Sequence, residues 1–464
     1  MVLGTVGDAI GHGDKKIEFN RSGREIHEII KKLGGVEKLK PSKDEGFPLS
    51  DDSILSGATG NALLLCSKAV KKEELDSQKS MTIHAHQLVL TKKGAPGRCY
   101  GPGTSMKLSN LDREMQDSGG KVENPRFDPR GGGCGAAMRC CCIGLCFPIN
   151  PSHDSEESLK HSSAVKMLVR VAVRSGRLTH AHPTGYLGAV CAALFTALAM
   201  QGKHPLPSWG RILLNVAVPL AMEMFDKDSP DLKASSYFVE KWTSYLKLRG
   251  ISNRDENKPV FPSKYDVKAR DKFYASVSFS GWGGASGHDA PMIAYDAMLG
   301  GGYENWSLLV KRAMLHGGDS DSTGILAGSW YGALNGFKGV PEIHYKNVEY
   351  AKESMDLGRS LVQTFSSSST SFALAEQHLQ KMSRKNAPPM VMLESLFFFL
   401  SLSLSLSLSH THTYIHTYTH LFVSTHLTHP LYIHTRKPTT ITTTNTGTRT
   451  SRSTPRSCGV HRLG

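Results

Sequence analysis

Apolar residues fall at helical spacing through much of the first 365 positions. Ala164–Val173 repeats them every three to four residues, the mark of an amphipathic helix with one buried face. Gly185–Met200 is an unbroken apolar run, entered at Pro183-Thr184 and closed by Gly202, as expected of a helix buried all round. Asp289 followed by Pro291 reads as an N-cap leading into a helix over Met292–Leu299. Ser322–Phe337 carries Gly324, Gly328 and Gly332 four residues apart, a stripe that lets another backbone come close. Each glycine costs the helix about 1 kcal/mol, which only tight packing can offset. Strict alternation is scarce, and Thr82–Leu90, a short segment, is the best candidate for a strand. The pattern predicts one mainly helical, all-α domain over residues 1–365.

Beyond that point the pattern fails. A serine run at Ser366–Ser369 and a break at Asn386-Ala387-Pro388-Pro389 mark 366–392 as a linker. From 393 to 464 the chain is of low complexity, with Ser-Leu alternating over Ser401–Ser409 and His-Thr pairs from His410 to Thr417. Those alternations are what translated dinucleotide repeats give, so this tail is read as disordered or as an artefact of the gene model. Leu393–Leu408 is too short and too rich in serine to span a bilayer.

Composition changes the picture once that tail is set apart. Six of the positive charges behind the net +14 lie after Glu394, the last acidic residue. The remainder is mildly basic, which suits a phosphate-bearing ligand and calls for neither nucleic acid nor membrane. The start lacks the basic and apolar regions of a signal peptide. Cys140, Cys141, Cys142 and Cys146 lack paired C-x2-C spacing and read as small buried side chains in a reducing compartment. A cytoplasmic monomer is the expectation.

Two acidic clusters stand out. Ser50-Asp51-Asp52-Ser53 follows Pro48 and, taken alone, reads as a helix N-cap. His316-Gly317-Gly318-Asp319-Ser320-Asp321-Ser322 opens the glycine-striped helix and presents several hard oxygens within one turn, donors suited to Mg2+ or Mn2+. A glycine-rich turn, Arg130–Arg139, running into a helix could cradle an anion. Ser280–Pro291 combines Trp282 with several glycines, either a purine-stacking loop or a long turn with a packed tryptophan.

These segments carry a resemblance. GDAIG (7–11), IEF (17–19), SDDS (50–53), GGGCGAAMR (131–139), SGRLTHAHPTGYLGA (175–189), KWTSYLKLRGI (241–251), SGWGGASGHDAPMIAYDA (280–297) and HGGDSDSTG (316–324) stand in the order found in the ADP-ribosylglycohydrolases. Together they resemble most closely the arginine-directed branch, over residues 1–360. Two departures are visible: Ser67–Gly101 follows the family pattern poorly, and Gly131 stands where that branch tends to have an acidic residue.

The resemblance implies an all-α fold around a dinuclear Mg2+ site held by Ser50, Asp51, Asp52, Asp319, Asp321 and Ser322. It implies hydrolysis of the N-glycosidic bond between ADP-ribose and arginine, on mono-ADP-ribosylated proteins or on ADP-ribosylarginine. Asp51, Asp52 and Glu18 would be catalytic, with Glu18 beside the scissile bond. Gly132, Gly133, Cys134 and Gly135 would hold the diphosphate, and His180 would line the pocket. Gly281, Trp282, Gly283, Gly284, Ser286, Gly287 and His288 would enclose the adenosine and distal ribose region. A serine-linked substrate and a non-catalytic ADP-ribose-binding role are the alternatives.

Overall fold

A computed structural model of the chain describes residues 1–254 and 257–366. The expectations for the linker and the low-complexity tail therefore lie outside the described residues, apart from Ser366 itself. Numbered in chain order, the α-helices of nine residues or more are α1 Val2–His12, α2 Gly23–Lys32, α3 Asp51–Ala69, α4 Gln78–Gly94, α5 Pro102–Asp117 and α6 Ser163–Arg177. They continue as α7 Pro183–Gln201, α8 Pro230–Leu248, α9 Val267–Val277, α10 Asp289–Ala297, α11 Ser320–Asn335 and α12 Ala351–Phe365. Among the described residues the only β-type pairing is an isolated bridge between Gly133 and Ser286. The domain is all-α.

The amphipathic and apolar runs form the expected helices. In α6, Val165, Leu168, Val169 and Ala172 turn inward. In α7 every residue from Pro183 to Ala199 is buried. It is long and apolar enough to cross a bilayer, but here it is the central helix of the core. Around its Phe195 stand Trp209, Tyr295 and Trp330, with ring centroids 5.1–5.4 Å away. Cys140, Cys141, Cys142 and Cys146 are buried free thiols, the last three in a 3-10 helix over Cys141–Cys146.

The strand expected at Thr82–Leu90 is not one: the segment lies inside α4. Its buried positions include Met81, His84, Ala85, Leu88 and Val89, a helical period that the alternation only sampled. The Ser77 side chain accepts from the Ser80 N–H and fixes the start of the helix. The poorly matching segment Ser67–Gly101 thus holds the end of α3 and all of α4.

The glycine stripe does what its spacing suggests. α1 lies along α11 in the most extensive helix pairing of the domain. A Cβ on Gly7 would collide with the Gly324 carbonyl, and one on Gly11 with the Ser320 carbonyl. Side chains there would force the helices apart. The close approach places Asp8 and His12 of α1 against the acidic start of α11.

Candidate functional site: a buried acid centre

Two helix starts and one helix end meet here. Ser50 caps α3 through its own hydroxyl, which accepts from the Asp52 N–H at 3.2 Å. Asp8 reaches across from α1 and accepts from the N–H groups of Ser50 (3.1 Å) and Ser53 (3.0 Å). A carboxylate from a neighbouring helix thereby satisfies free N–H groups at the start of α3, where the helix dipole favours negative charge. At the start of α11 the Ser320 hydroxyl donates to Gly11 O at 3.0 Å, tying this end to α1. The N-cap reading of Ser50 and the close-packed reading of the glycines are both realised, and together they converge the acids.

The converged set is Asp8, Glu18, Asp51, Asp52, Asp319 and Asp321, all buried, with His12 among them. His12 Nδ1 lies 2.6 Å from Glu18 Oε2 and 3.8 Å from Asp321 Oδ2. Burial and then the Asp321 charge push the carboxyls of Asp8, Asp51, Asp52 and Asp319 upward, and Glu18 up to about 7. Burial opposes protonation of His12, but Glu18, Asp321 and Asp8 outweigh it and raise its pKa. The Oδ2 atom of Asp52 is buried without a hydrogen-bond partner. One imidazole cannot balance six carboxylates at neutral pH. The surplus charge is of the kind that divalent cations neutralise, and the donors are hard oxygens. His12, Glu18 and Asp321 by themselves offer donor atoms within 4.8 Å of one another.

The other anticipated residues surround this centre. The Cys134 thiol donates to Asp319 Oδ2 at 3.4 Å, and Ser322 donates to Cys134 Sγ at 3.5 Å. The helix expected after the glycine turn shrinks to a 3-10 turn over Cys134–Ala136. Backbone bonds join that turn to the Trp282 loop, Cys134 N to Ala285 O at 3.1 Å and Gly287 N to Gly132 O at 3.0 Å. His180 packs behind it, where a Cβ on Gly135 would meet the His180 Cε1 at 2.6 Å. Burial, then the Arg139 charge, lowers the His180 pKa to about 3, so the ring is neutral.

Asp289 is not the N-cap of α10 but its first residue, preceded by His288. Its carboxylate accepts from the N–H groups of Phe279, Gly284 and Ser286 at 2.9–3.2 Å, bracing the loop in front of the helix. The two ring nitrogens of His288 are engaged by Ser286 Oγ (2.6 Å) and Val277 O (3.0 Å), so that histidine too braces the loop. Gly283 O accepts from the Asp319 N–H at 2.8 Å and anchors the loop to the acid centre. Trp282 is half-buried and stands 6.0 Å from the ring of Phe19, the neighbour of Glu18. The glycine turn and the Trp282 loop are thus both tied to the acid centre, through Cys134 and through Gly283.

Asp8 and His12 went unassigned in the sequence. Their signal was present: they lie one helical turn apart, each directly after a glycine that had to face a close neighbour.

Residues 1–371 match the family described as ADP-ribosylglycohydrolase. ADP-ribosylhydrolase ARH1 of Dictyostelium discoideum is 38% identical over 370 residues, 75% of this chain and 89% of that protein. ADP-ribosylhydrolase ARH3 of Homo sapiens is 26% identical over 349 residues, 72% of this chain and 86% of that protein. A solved structure titled ADP-ribosylglycohydrolase-related protein complex aligns with 79% of this chain and 97% of its own, at TM-score 0.46 and 15% identity. The chain belongs to the ADP-ribosylglycohydrolase family.

Proposed function

We propose that the protein hydrolyses the N-glycosidic bond between ADP-ribose and arginine on mono-ADP-ribosylated proteins, with two Mg2+ ions in the acid centre. The observation that carries the reading is the uncompensated carboxylate set, with its unpartnered Asp52 Oδ2. A binding module for ADP-ribose alone has no need to bury six carboxylates together. Ser50, Asp51, Asp52, Asp319, Asp321 and Ser322 would hold the ions. When bound, such ions supply positive charge that orients ribose hydroxyls and acidifies water.

The remaining chemistry falls to the chain. The water oxygen bonds to the anomeric carbon while the carbon–nitrogen bond breaks, through an oxocarbenium-like state. Asp51 or Asp52 takes the water proton, and the guanidine leaves with the bonding electron pair. Glu18, held by His12, faces a planar cationic leaving group, for which a carboxylate is the natural partner. The N–H groups of the Gly132–Gly135 turn would receive the diphosphate, and Trp282 and Phe19 would flank the adenosine. The arginine linkage draws on the stretches at 175–189 and 241–251, which resemble the arginine-directed branch away from the acidic motifs. The proposal includes a cytoplasmic location, in keeping with the free thiols.

Release of ADP-ribose from arginine-linked and serine-linked peptides, with and without Mg2+, tests it. We expect the arginine substrate to react at least about tenfold faster, roughly 1.4 kcal/mol in barrier, and only with the metal. Faster release from serine would overturn the linkage, and equal release in EDTA would overturn the metal.

A further inference from the structure

The oxygen donors of the acid centre suit Mg2+, but His12 does not belong to that chemistry. Imidazole nitrogen selects borderline cations, and affinity for mixed nitrogen and oxygen sites rises along the first row toward Cu2+ and Zn2+. We propose that His12, Glu18 and Asp321 form a site for a late first-row divalent cation of the Zn2+ class. Filling it would pin Glu18 and stop turnover. The proposal rests on the reading above only in taking the centre to be a metal centre.

The geometry is close to what such a cation needs. Zinc bonds to histidine and carboxylate run about 2.0–2.2 Å, which puts tetrahedral donors about 3.3 Å apart. Here His12 Nδ1 lies 2.6 Å from one carboxylate oxygen and 3.8 Å from the other, bracketing that separation. All three donors lie within 4.8 Å of one another. The side chains are 4%, 9% and 4% exposed, so they are already stripped of water. A second observation points the same way: the orphaned Asp52 Oδ2 is buried close enough to Asp321 for their charges to repel.

His12 sits on α1, whose position is fixed by the glycine contacts with α11, while Glu18 comes from the segment that follows. A cation bridging the two would fasten that segment to the rigid helix pair. Glu18 would then be a ligand and no longer free to face the leaving group.

The test uses the full chain in excess Mg2+, with Zn2+ titrated against a chromophoric chelator and Co2+ as a spectroscopic probe. We expect one Zn2+ per chain, a Co2+ visible band typical of four-coordinate nitrogen and oxygen ligation, and loss of ADP-ribose release in step with occupancy. His12→Gln should weaken Zn2+ at least about tenfold and alter the band, while Mg2+ still raises its unfolding temperature as in the unaltered protein. His12→Asn serves if the glutamine variant fails to fold. Equal Zn2+ affinity and an unchanged Co2+ spectrum in either folded variant would overturn the site. Absence of ADP-ribose release in Mg2+ alone would overturn the functional reading and leave a His12-dependent Co2+ band standing.

Discussion

Two of the places where this domain buries charge do it in opposite ways. At the far end of α8, Arg249 is buried with its Nε 2.6 Å from Asp296 Oδ1, and Tyr245 and Tyr265 donate to the same carboxylate at 3.0 and 2.9 Å. Phe261 and Phe273 cover the guanidinium, each ring centroid 4.2 Å away. Arg249 and Asp296 are matched by each other and by the two hydroxyls, and the adjacent Arg312 guanidinium lies over the rings of Phe261 and Tyr265. In the acid centre six carboxylates share one imidazole, and Asp52 Oδ2 has no partner. Buried charge that is fully matched serves the fold. Buried charge left unmatched is tolerable only if something else arrives to match it.

The comparison breaks if the two clusters respond alike to neutralisation. Asp321→Asn and Asp52→Asn should each cut ADP-ribose release by at least about a hundredfold. Metal ions contribute several kcal/mol to such reactions, and each 1.4 kcal/mol is tenfold in rate. The same variants, measured without metal, should unfold at the same temperature as the parent or higher, because a repelling charge has gone. EDTA should imitate them in the unaltered protein, and added Mg2+ should reverse it. Near-normal turnover in either purified variant would remove these aspartates from the chemistry.

Asp296→Asn should do the reverse. Removing one partner of a buried pair strands the other, at a cost of about 3–5 kcal/mol. Chemical denaturation should show that loss at any metal concentration. A stability change below about 1 kcal/mol would mean the pair is a spectator, and the contrast between the clusters would collapse.

Buried neutral histidines give a smaller effect with a definite sign. Burial lowers the pKa of His84 and His180 to about 3 and of His288 to about 4, against an ordinary 6.5. The unfolded chain therefore binds protons that the fold does not, so stability is complete above pH 6.5 and falls as the pH drops toward 4. Each ring accounts for about 1.4 kcal/mol per pH unit in that window. Neither ring nitrogen of His84 has a hydrogen-bond partner, so little is lost when it is replaced by an apolar residue. His84→Leu should flatten the acid slope by about one proton. An unchanged slope in urea titrations between pH 7 and 5 would show that His84 is not held neutral.

How much of this was legible beforehand depends on whether the signal was local. The glycines at 324 and 328 announced a close helix contact, and the acidic run at 319–322 announced hard-oxygen donors, because both signals are local, whereas Ser50-Asp51-Asp52 taken alone read as a helix cap. The helix at α4 was missed since a window of nine residues contains alternation as well as helical period, and its capping residue, Ser77, lay outside that window. Asp289 looked like a cap because caps are acidic and precede proline; only the folded loop shows three N–H groups of preceding residues converging on it. The centre itself could not be read as a whole. Asp8, Glu18, Asp51 and Asp321 are joined by packing across some three hundred residues of chain, and no spacing rule spans that distance.

The smallest predicted effect lies where the two kinds of charge meet. Arg98 and Glu349 form a two-pronged ion pair, both contacts at 2.9 Å, that is matched like Arg249–Asp296 yet touches the acid centre. Glu349 Oε2 accepts from the Leu49 N–H at 2.8 Å, and Arg98 donates to the Leu49 carbonyl at 3.0 Å. Leu49 immediately precedes Ser50, so the pair clamps the backbone that delivers Ser50, Asp51 and Asp52. Arg98 also lies in the stretch where the sequence departs from the family pattern, which makes this clamp one feature of that stretch with a consequence for the site. Glu349→Gln keeps an acceptor for the Leu49 N–H while removing the charge. It should cost about 1 kcal/mol in stability, the scale of a partly exposed ion pair. ADP-ribose release should fall by about threefold to tenfold, well short of the roughly hundredfold expected from displacing a catalytic group by 1 Å. A cycle with Arg98→Gln and the double variant separates the pair from its parts, since the second substitution should add little to the first. If stability falls and turnover does not, the clamp is purely structural and Leu49 does not transmit its position to the carboxylates.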